Sequence, residues 1–341
     1  MKQYVVAVVG ATGAVGEEML RVLEEQNFPI AKLVPLASNR SAGNKITYKN
    51  EEIVVQELTE NVFAKEGVEI ALFSAGGSVS AKYAPHAAKA GAVVIDNTSY
   101  FRMEEDIPLV VPEVNPEDIK LWKNRGIIAN PNCSTIQMVM ALKPLDQAFD
   151  IKRVDVATYQ AVSGAGKSAM EELVSQMQDF FAFKLDQTKP TKLPHRIALN
   201  LIPQIDSFTD SGYTKEELKM VNETTKIMHK KIPLSATCVR VPVLSGHSEA
   251  VSVKFSHPVT ADEARAILSA AQDVVVIDEP QQGKYPMPKD VVESDFSYVG
   301  RIRQDLFDPT ILHFWIVADN LRVGAATNAV RIAQKWIEME G

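Results

Sequence analysis

The chain has 341 residues, 46% of them apolar and 23% charged, enough for about two domains with sizeable cores and too apolar for a mainly disordered chain. Its 36 basic and 43 acidic side chains leave a net charge of −7, which argues against nucleic acid or an anionic membrane as a partner. Two cysteines, Cys133 and Cys238, cannot build a disulfide framework, and six scattered histidines show no metal-ligand spacing, so a reducing, metal-free setting is expected. The first apolar run, 4–9, is too short for an export signal and lacks a small-residue cleavage site. No later run approaches the roughly 20 residues that span a bilayer. The expected location is the cytoplasm, with no membrane partner.

Up to about residue 130, short β-branched runs alternate with helical stretches, the pattern of βαβ units on a parallel sheet. Strands are expected at 5–9, 32–37, 70–74, 93–96 and 127–129. A helix over 17–26 puts Met19, Val22 and Leu23 on one face and acidic residues in its first turn. Another, 80–90, ends at Gly91 and carries Pro85 against its pattern. After Asn130, alternating runs at 154–162, 237–243, 251–255 and 313–317 suit a half-exposed antiparallel sheet. Between them, 168–183 spaces Met170, Leu173, Val174, Met177 and Phe181 as one packed helical face. The expected fold class is α/β: a doubly wound N-terminal domain over 1–131, to which a last helix at 322–341 returns, and a mixed α+β domain over 132–321.

Gly10-Ala11-Thr12-Gly13-Ala14-Val15-Gly16 falls between the first strand and the first helix. Glycines there permit a tight turn and let main-chain N–H groups reach a pyrophosphate at the helix N-terminus. The spacing is Gly-x-x-Gly-x-x-Gly, so a plain strand-to-helix turn is the competing reading. At the end of the second strand, where an NAD site carries a carboxylate, the chain reads Ala37-Ser38-Asn39-Arg40-Ser41. A guanidinium with hydroxyl and amide donors suits a 2′-phosphate, which favours NADP.

Asn130-Pro131-Asn132-Cys133-Ser134-Thr135 leads into an apolar helix, 136–142, placing Cys133 at a helix N-terminus where open N–H groups favour thiolate. That is nucleophile chemistry, whereas Cys238, inside a strand, reads as an inert core residue. His247 is expected in a loop between two alternating strands, where it either serves as general acid and base or is simply solvated.

These stretches, together with Ser99-Tyr100-Phe101-Arg102, Tyr159-Gln160-Ala161-Val162-Ser163-Gly164-Ala165-Gly166, Glu216-Glu217-Leu218-Lys219 and Arg240-Val241-Pro242-Val243 before Gly246-His247-Ser248, resemble bacterial aspartate-β-semialdehyde dehydrogenases over essentially the whole chain. The resemblance implies a Rossmann-type NADP-binding domain, and a second domain for catalysis and dimerisation. It also implies NADPH-dependent reductive dephosphorylation of β-aspartyl phosphate, on the route to lysine, methionine and threonine. Cys133 would form the thioester, His247 would manage protons, and Gln160 would orient the acyl group. Arg240 would hold the α-carboxylate, Glu216 the ammonium, and Arg102 with Lys219 the phosphate, beside Asn132.

For the cofactor, the same resemblance points to Gly10, Thr12, Gly13, Ala14 and Val15 around the pyrophosphate and Ser38, Arg40 and Ser41 around the 2′-phosphate. Ser163, Gly164 and Asn320 would flank the nicotinamide. A homodimer or a dimer of dimers is implied. Two related phosphorylating reductases compete with this reading, those of N-acetyl-γ-glutamyl phosphate and glyceraldehyde 3-phosphate. Glu216 argues against the first, since an acetylated nitrogen needs no carboxylate. A non-catalytic NADP-sensing protein would not need Cys133, His247 and two anion receptors together.

Overall fold

A computed structural model describes residues 2–340; the expected outer bounds Met1 and Gly341 lie outside the described residues. The chain divides into two compact units, 2–132 with 324–340, and 133–323.

In the first unit, the β-branched run Tyr4–Val9 forms β1, followed by α1 (Ala14–Glu25) and β2 (Ile30–Ala37). Then come a hairpin of β3 (Lys45–Tyr48) and β4 (Glu51–Val54), the short β5 (Gln56–Glu57) and α2 (Val62–Glu66). β6 (Ile70–Phe73), α3 (Gly77–Lys89), β7 (Val93–Asp96) and β8 (Ile127–Ala129) complete it. Six strands pair in parallel in the order β5-β2-β1-β6-β7-β8. Connections leave β1 in one direction and β6 in the other, so the switch point of the sheet lies between them, where α/β sheets bind ligands. The hairpin was not expected: Lys49 and Asn50 both take positive φ, 49° and 64°, without a glycine to announce the turn. Pro85 is accommodated inside α3. Val6, Val8, Met19, Leu23, Leu72 and Ile95 build the core, and the C-terminal helix Thr327–Glu340 adds Ala329, Val330 and Ile332 to it. That helix starts later than expected, because Arg322–Ala326 winds as a π turn.

The second unit runs through α4 (Cys133–Phe149), β9 (Ile151–Gln160), α5 (Lys167–Phe181), α6 (Lys215–Met228), β10 (Leu234–Arg240) and β11 (His247–Phe255). It continues through α7 (Ala261–Ala270), β12 (Val274–Val276), α8 (Pro288–Val291), β13 (Ser297–Gln304) and β14 (Ile311–Ala318). Its sheet has the order β10-β9-β11-β14-β13-β12. The expected antiparallel sheet is corrected here to a mixed one, since β10 lies parallel to β9 and β12 parallel to β13. The long excursion through α5 and α6 is what allows a parallel return. Burial alternates along β9 and β11, with the inner face covered by α4, α6 and α7. The outer face carries Tyr159 and Trp315, whose rings lie 5.4 Å apart. No helix among the described residues is long and apolar enough to cross a membrane.

Candidate active site

The loop after β1 turns on Gly10, at φ +88°, and a Cβ there would meet the Ser74 Oγ at 3.0 Å. Gly16, in the first turn of α1, packs so closely that a Cβ would lie 2.1 Å from the Gly10 carbonyl oxygen. Backbone this close can be built only with glycine. Beside it opens a cavity of about 660 Å³ lined by Gly10, Thr12, Gly13, Ser38, Arg40 and Ser41. Ala14 and Val15 open α1 and do not line that cavity, so any contact they make to a pyrophosphate comes from the helix N-terminus. Glu57, Leu58, Val79 and Tyr83 also line it and were not expected. Glu57 arrives because Ala37 pairs with it across β2 and β5, a neighbour invisible in the local motif. A glycine cradle at a helix N-terminus with Arg40 at its far side fits a dinucleotide carrying a 2′-phosphate.

Arg102, expected as a solvated charge but for its motif, is 7% exposed. Its Nε donates to the Asn130 carbonyl at 2.9 Å and one Nη to the Asn97 carbonyl at 2.7 Å. Asn130 is in turn held by Asn97 and Asn328. Asn132 is buried in the same unit.

In the second unit, Cys133 is the first residue of the 17-residue helix α4, half-buried, with Arg240 near enough to sense charge on its sulfur. Helix dipole and guanidinium both favour an anionic sulfur. Arg240 ends β10, is 6% exposed, and donates from Nη1 to the Ala161 carbonyl at 2.7 Å. His247 is corrected from a loop to the first residue of β11, fully buried, because Gly246 at φ +90° turns the chain directly into the strand. The Ala161 N–H donates to its Nδ1 at 3.1 Å. Since a backbone N–H can only donate, the neutral ring carries its proton on Nε2. Burial holds the imidazole well below its usual pKa, and the Arg240 charge acts in the same direction. Gly164 leaves the needed space: a Cβ there would stand 3.1 Å from Arg240 Nη1 and 3.2 Å from His247 Nε2.

Gln160 ends β9 with its side chain inward, 1% exposed, donating weakly to the Glu216 Oε1 at 3.4 Å and to the Thr158 hydroxyl at 3.3 Å. Glu216 lies in the first turn of α6, which Thr214 and Glu217 close with a capping box. One turn on, Lys219 pairs with Glu216 at 3.1 Å and with Asp206 at 3.1 Å. Burial works to lower the Lys219 pKa, but the two carboxylates more than offset it and leave the ammonium above its usual value. Asp206 was not expected, having no motif around it. Its backbone φ is +68°, a strained value for a non-glycine residue. Ser163, Gly164 and Asn320 lie in this unit. Asn320 Nδ2 donates to the Ser163 hydroxyl at 2.9 Å, while its Oδ1 accepts the Gly246 N–H at 2.9 Å, tying two loops beside His247. Cys238, by contrast, is fully buried, and burial pushes its thiol far above the usual value. This is the inert cysteine.

Residues 5–122 match the family described as semialdehyde dehydrogenase, NAD binding domain, and residues 142–323 match semialdehyde dehydrogenase, dimerisation domain. An aspartate-semialdehyde dehydrogenase of Campylobacter jejuni is 62% identical over 339 residues, covering 99% of each chain. A crystal structure of aspartate semialdehyde dehydrogenase II from Vibrio cholerae, complexed with ASA, superimposes with TM-score 0.96 at 48% identity, covering all of both chains. The enzyme of Candida albicans, solved with NADP, gives TM-score 0.77 at 26% identity, covering 98% of this chain and 99% of its own. The chain belongs to the aspartate-semialdehyde dehydrogenase family.

Proposed function

We propose that this chain reduces β-aspartyl phosphate to aspartate β-semialdehyde with NADPH, releasing phosphate, through a thioester on Cys133. The observation that carries the proposal is the buried cluster of Arg240, His247 and Gln160 assembled in the same unit as a cysteine at a helix N-terminus. The Cys133 sulfur attacks the acyl carbon, and the carbon–oxygen bond to phosphate breaks, leaving a thioester. When bound, NADPH supplies hydride. His247 presents Nε2–H to the acyl oxygen as negative charge grows there, and Gln160 orients the same group. With hydride on the acyl carbon, collapse of the thiohemiacetal oxyanion breaks the carbon–sulfur bond and returns its electron pair to sulfur, regenerating thiolate and releasing aldehyde.

For recognition, the Arg240 fork suits the α-carboxylate and Glu216 the α-ammonium, while Lys219 attracts phosphate. Arg102 and Asn132 keep the phosphate and substrate roles that the resemblance implies for them. Gly10, Thr12, Gly13, Ala14 and Val15 would hold the pyrophosphate, and Ser38, Arg40 and Ser41 the 2′-phosphate. Ser163, Gly164 and Asn320 would shape the nicotinamide end. The first unit is the cofactor-binding domain and the second the catalytic and dimerisation domain of a cytoplasmic homodimer, whose outer sheet face with Tyr159 and Trp315 is suited to pairing. The reverse assay tests the reaction: NADPH formation from aspartate semialdehyde should require inorganic phosphate. Turnover without phosphate, or with N-acetylglutamate semialdehyde and not aspartate semialdehyde, would reject it.

A further inference from the structure

The inner face of the catalytic sheet holds one carboxyl that this reaction does not use. Glu249 follows His247 by two residues on β11, faces the same side, and is 0% exposed. Its ladder neighbours are Thr158 on β9 and Ile316 on β14, neither of them charged. The titratable and charged groups on that face are His247 on its own strand, Cys238 and Arg240 on β10, and Glu216 and Glu217, which α6 presents to β10. From α4, the side chain that meets it is Gln137, one turn beyond Cys133.

Both Glu249 carboxyl oxygens and the Gln137 Oε1 are buried without a donor aimed at them. An ionised carboxylate and an amide oxygen are both acceptors, so together they would be a costly burial. One proton resolves the conflict, because a carboxylic acid can donate its O–H to the amide oxygen. The amide is then held with Nε2 directed at the His247 carbonyl, 3.5 Å away. We propose that Glu249 is a positioning residue that acts as a neutral carboxylic acid, donating to Gln137 and through that amide steadying the His247 main chain and the helix that begins at Cys133. Burial holds the carboxyl well above the usual Glu range, outweighing the Gln137 side chain, which acts to lower it. The positioning role rests on the thioester reading; the protonation state of Glu249 does not.

Infrared difference spectra between the wild type and Glu249→Gln, taken at about pH 8, far above the ordinary Glu value, are expected to show a protonated-carboxyl band present in the wild type alone. Glu249→Leu keeps bulk but offers no donor, and should lower kcat about tenfold with both Michaelis constants unchanged. Glu249→Gln restores an N–H donor and should recover most of that loss with the pH profile unmoved. Absence of the band overturns the proposal. So does a Glu249→Gln variant as impaired as Glu249→Leu with a displaced acid limb, which would mark an ionised partner of His247. Should the Glu249 variants fail to fold, Gln137→Leu must shift the frequency of the wild-type band, and an unmoved band would count against the contact. Loss of the reaction itself would show separately, as a wild type inactive with aspartate semialdehyde and phosphate.

Discussion

In the cradle after β1, the fit to a dinucleotide comes from main chain and glycines within one stretch, Gly10 to Gly16, with Arg40 close behind in sequence. In the cluster proposed for catalysis, the fit to a substrate comes from side chains at 133, 160, 216, 240 and 247, delivered by five separate elements and, apart from the half-buried Cys133, largely closed to water. A backbone cradle keeps its donors whatever the neighbouring side chains are, and fails when bulk is added. A buried polar cluster fails when one partner is removed, because no water replaces the lost contact. Substitutions should therefore be graded by which of the two they touch.

The largest effect is expected for Cys133→Ala. Removing the nucleophile should cut turnover on the order of 10⁴-fold or more, while NADPH titration, read by fluorescence, stays close to wild type. If NADPH binding collapsed with turnover, the separation between cradle and cluster would be false.

Next comes Arg240→Leu, which removes a bidentate partner from a buried site and should cost the semialdehyde reactant about 10- to 150-fold in kcat/KM. Arg240→Lys should restore little, because the planar fork is what matches a carboxylate. Arg102→Leu should instead raise the KM for phosphate, and Arg102→Lys should recover part of it. Steady-state kinetics with each reactant varied in turn decides the matter; exchanged effects would reverse the assignments.

Much of this was legible in the chain. The Rossmann-type reading, the cradle and Cys133 all lie in short motifs where strand, turn and helix follow one another, so local physics sufficed. Arg240, Glu216 and Arg102 are charged residues that nothing but motif context lifts from the surface, and the fold buries all three. His247 was misplaced into a loop because polar residues at 247–249 break the apolar alternation that begins visibly at Val251. Their inward positions become apparent only when β11 is seen against β9 and β14. Asp206, Glu57 and the Gln137–Glu249 contact depend on partners dozens of residues away or on another element. No local period encodes them.

A smaller effect is expected at Arg40, which lines the cradle's cavity. Arg40 is exposed, so solvent screens it, and Arg40→Asp should weaken NADPH by about tenfold while leaving NADH nearly unchanged. Equal losses for both dinucleotides would show that Arg40 does not read the 2′-phosphate.

A last effect, outside the kinetics, is in stability. Glu249 has a folded pKa above its unfolded value. Its contribution is thus fully present below the ordinary Glu value and is lost as pH rises toward the folded one, by about 1.4 kcal/mol per pH unit. His247 acts oppositely: with its folded pKa depressed, its contribution is present above the ordinary His value and lost as pH falls. Denaturant unfolding between about pH 5 and about pH 8 should give Glu249→Gln a flatter decline toward alkaline pH than the wild type. Parallel curves would mean that Glu249 ionises alike in both states.

The central claim is that chemistry passes through a covalent bond to Cys133, and it can be seen directly. The enzyme mixed with β-aspartyl phosphate in the absence of NADPH should release phosphate once per site and carry an aspartyl group on the Cys133 peptide by mass spectrometry. Adding NADPH should discharge that group as aspartate semialdehyde. Phosphate release only after NADPH is added, or an acyl group on any other residue of a turning-over enzyme, would contradict the account.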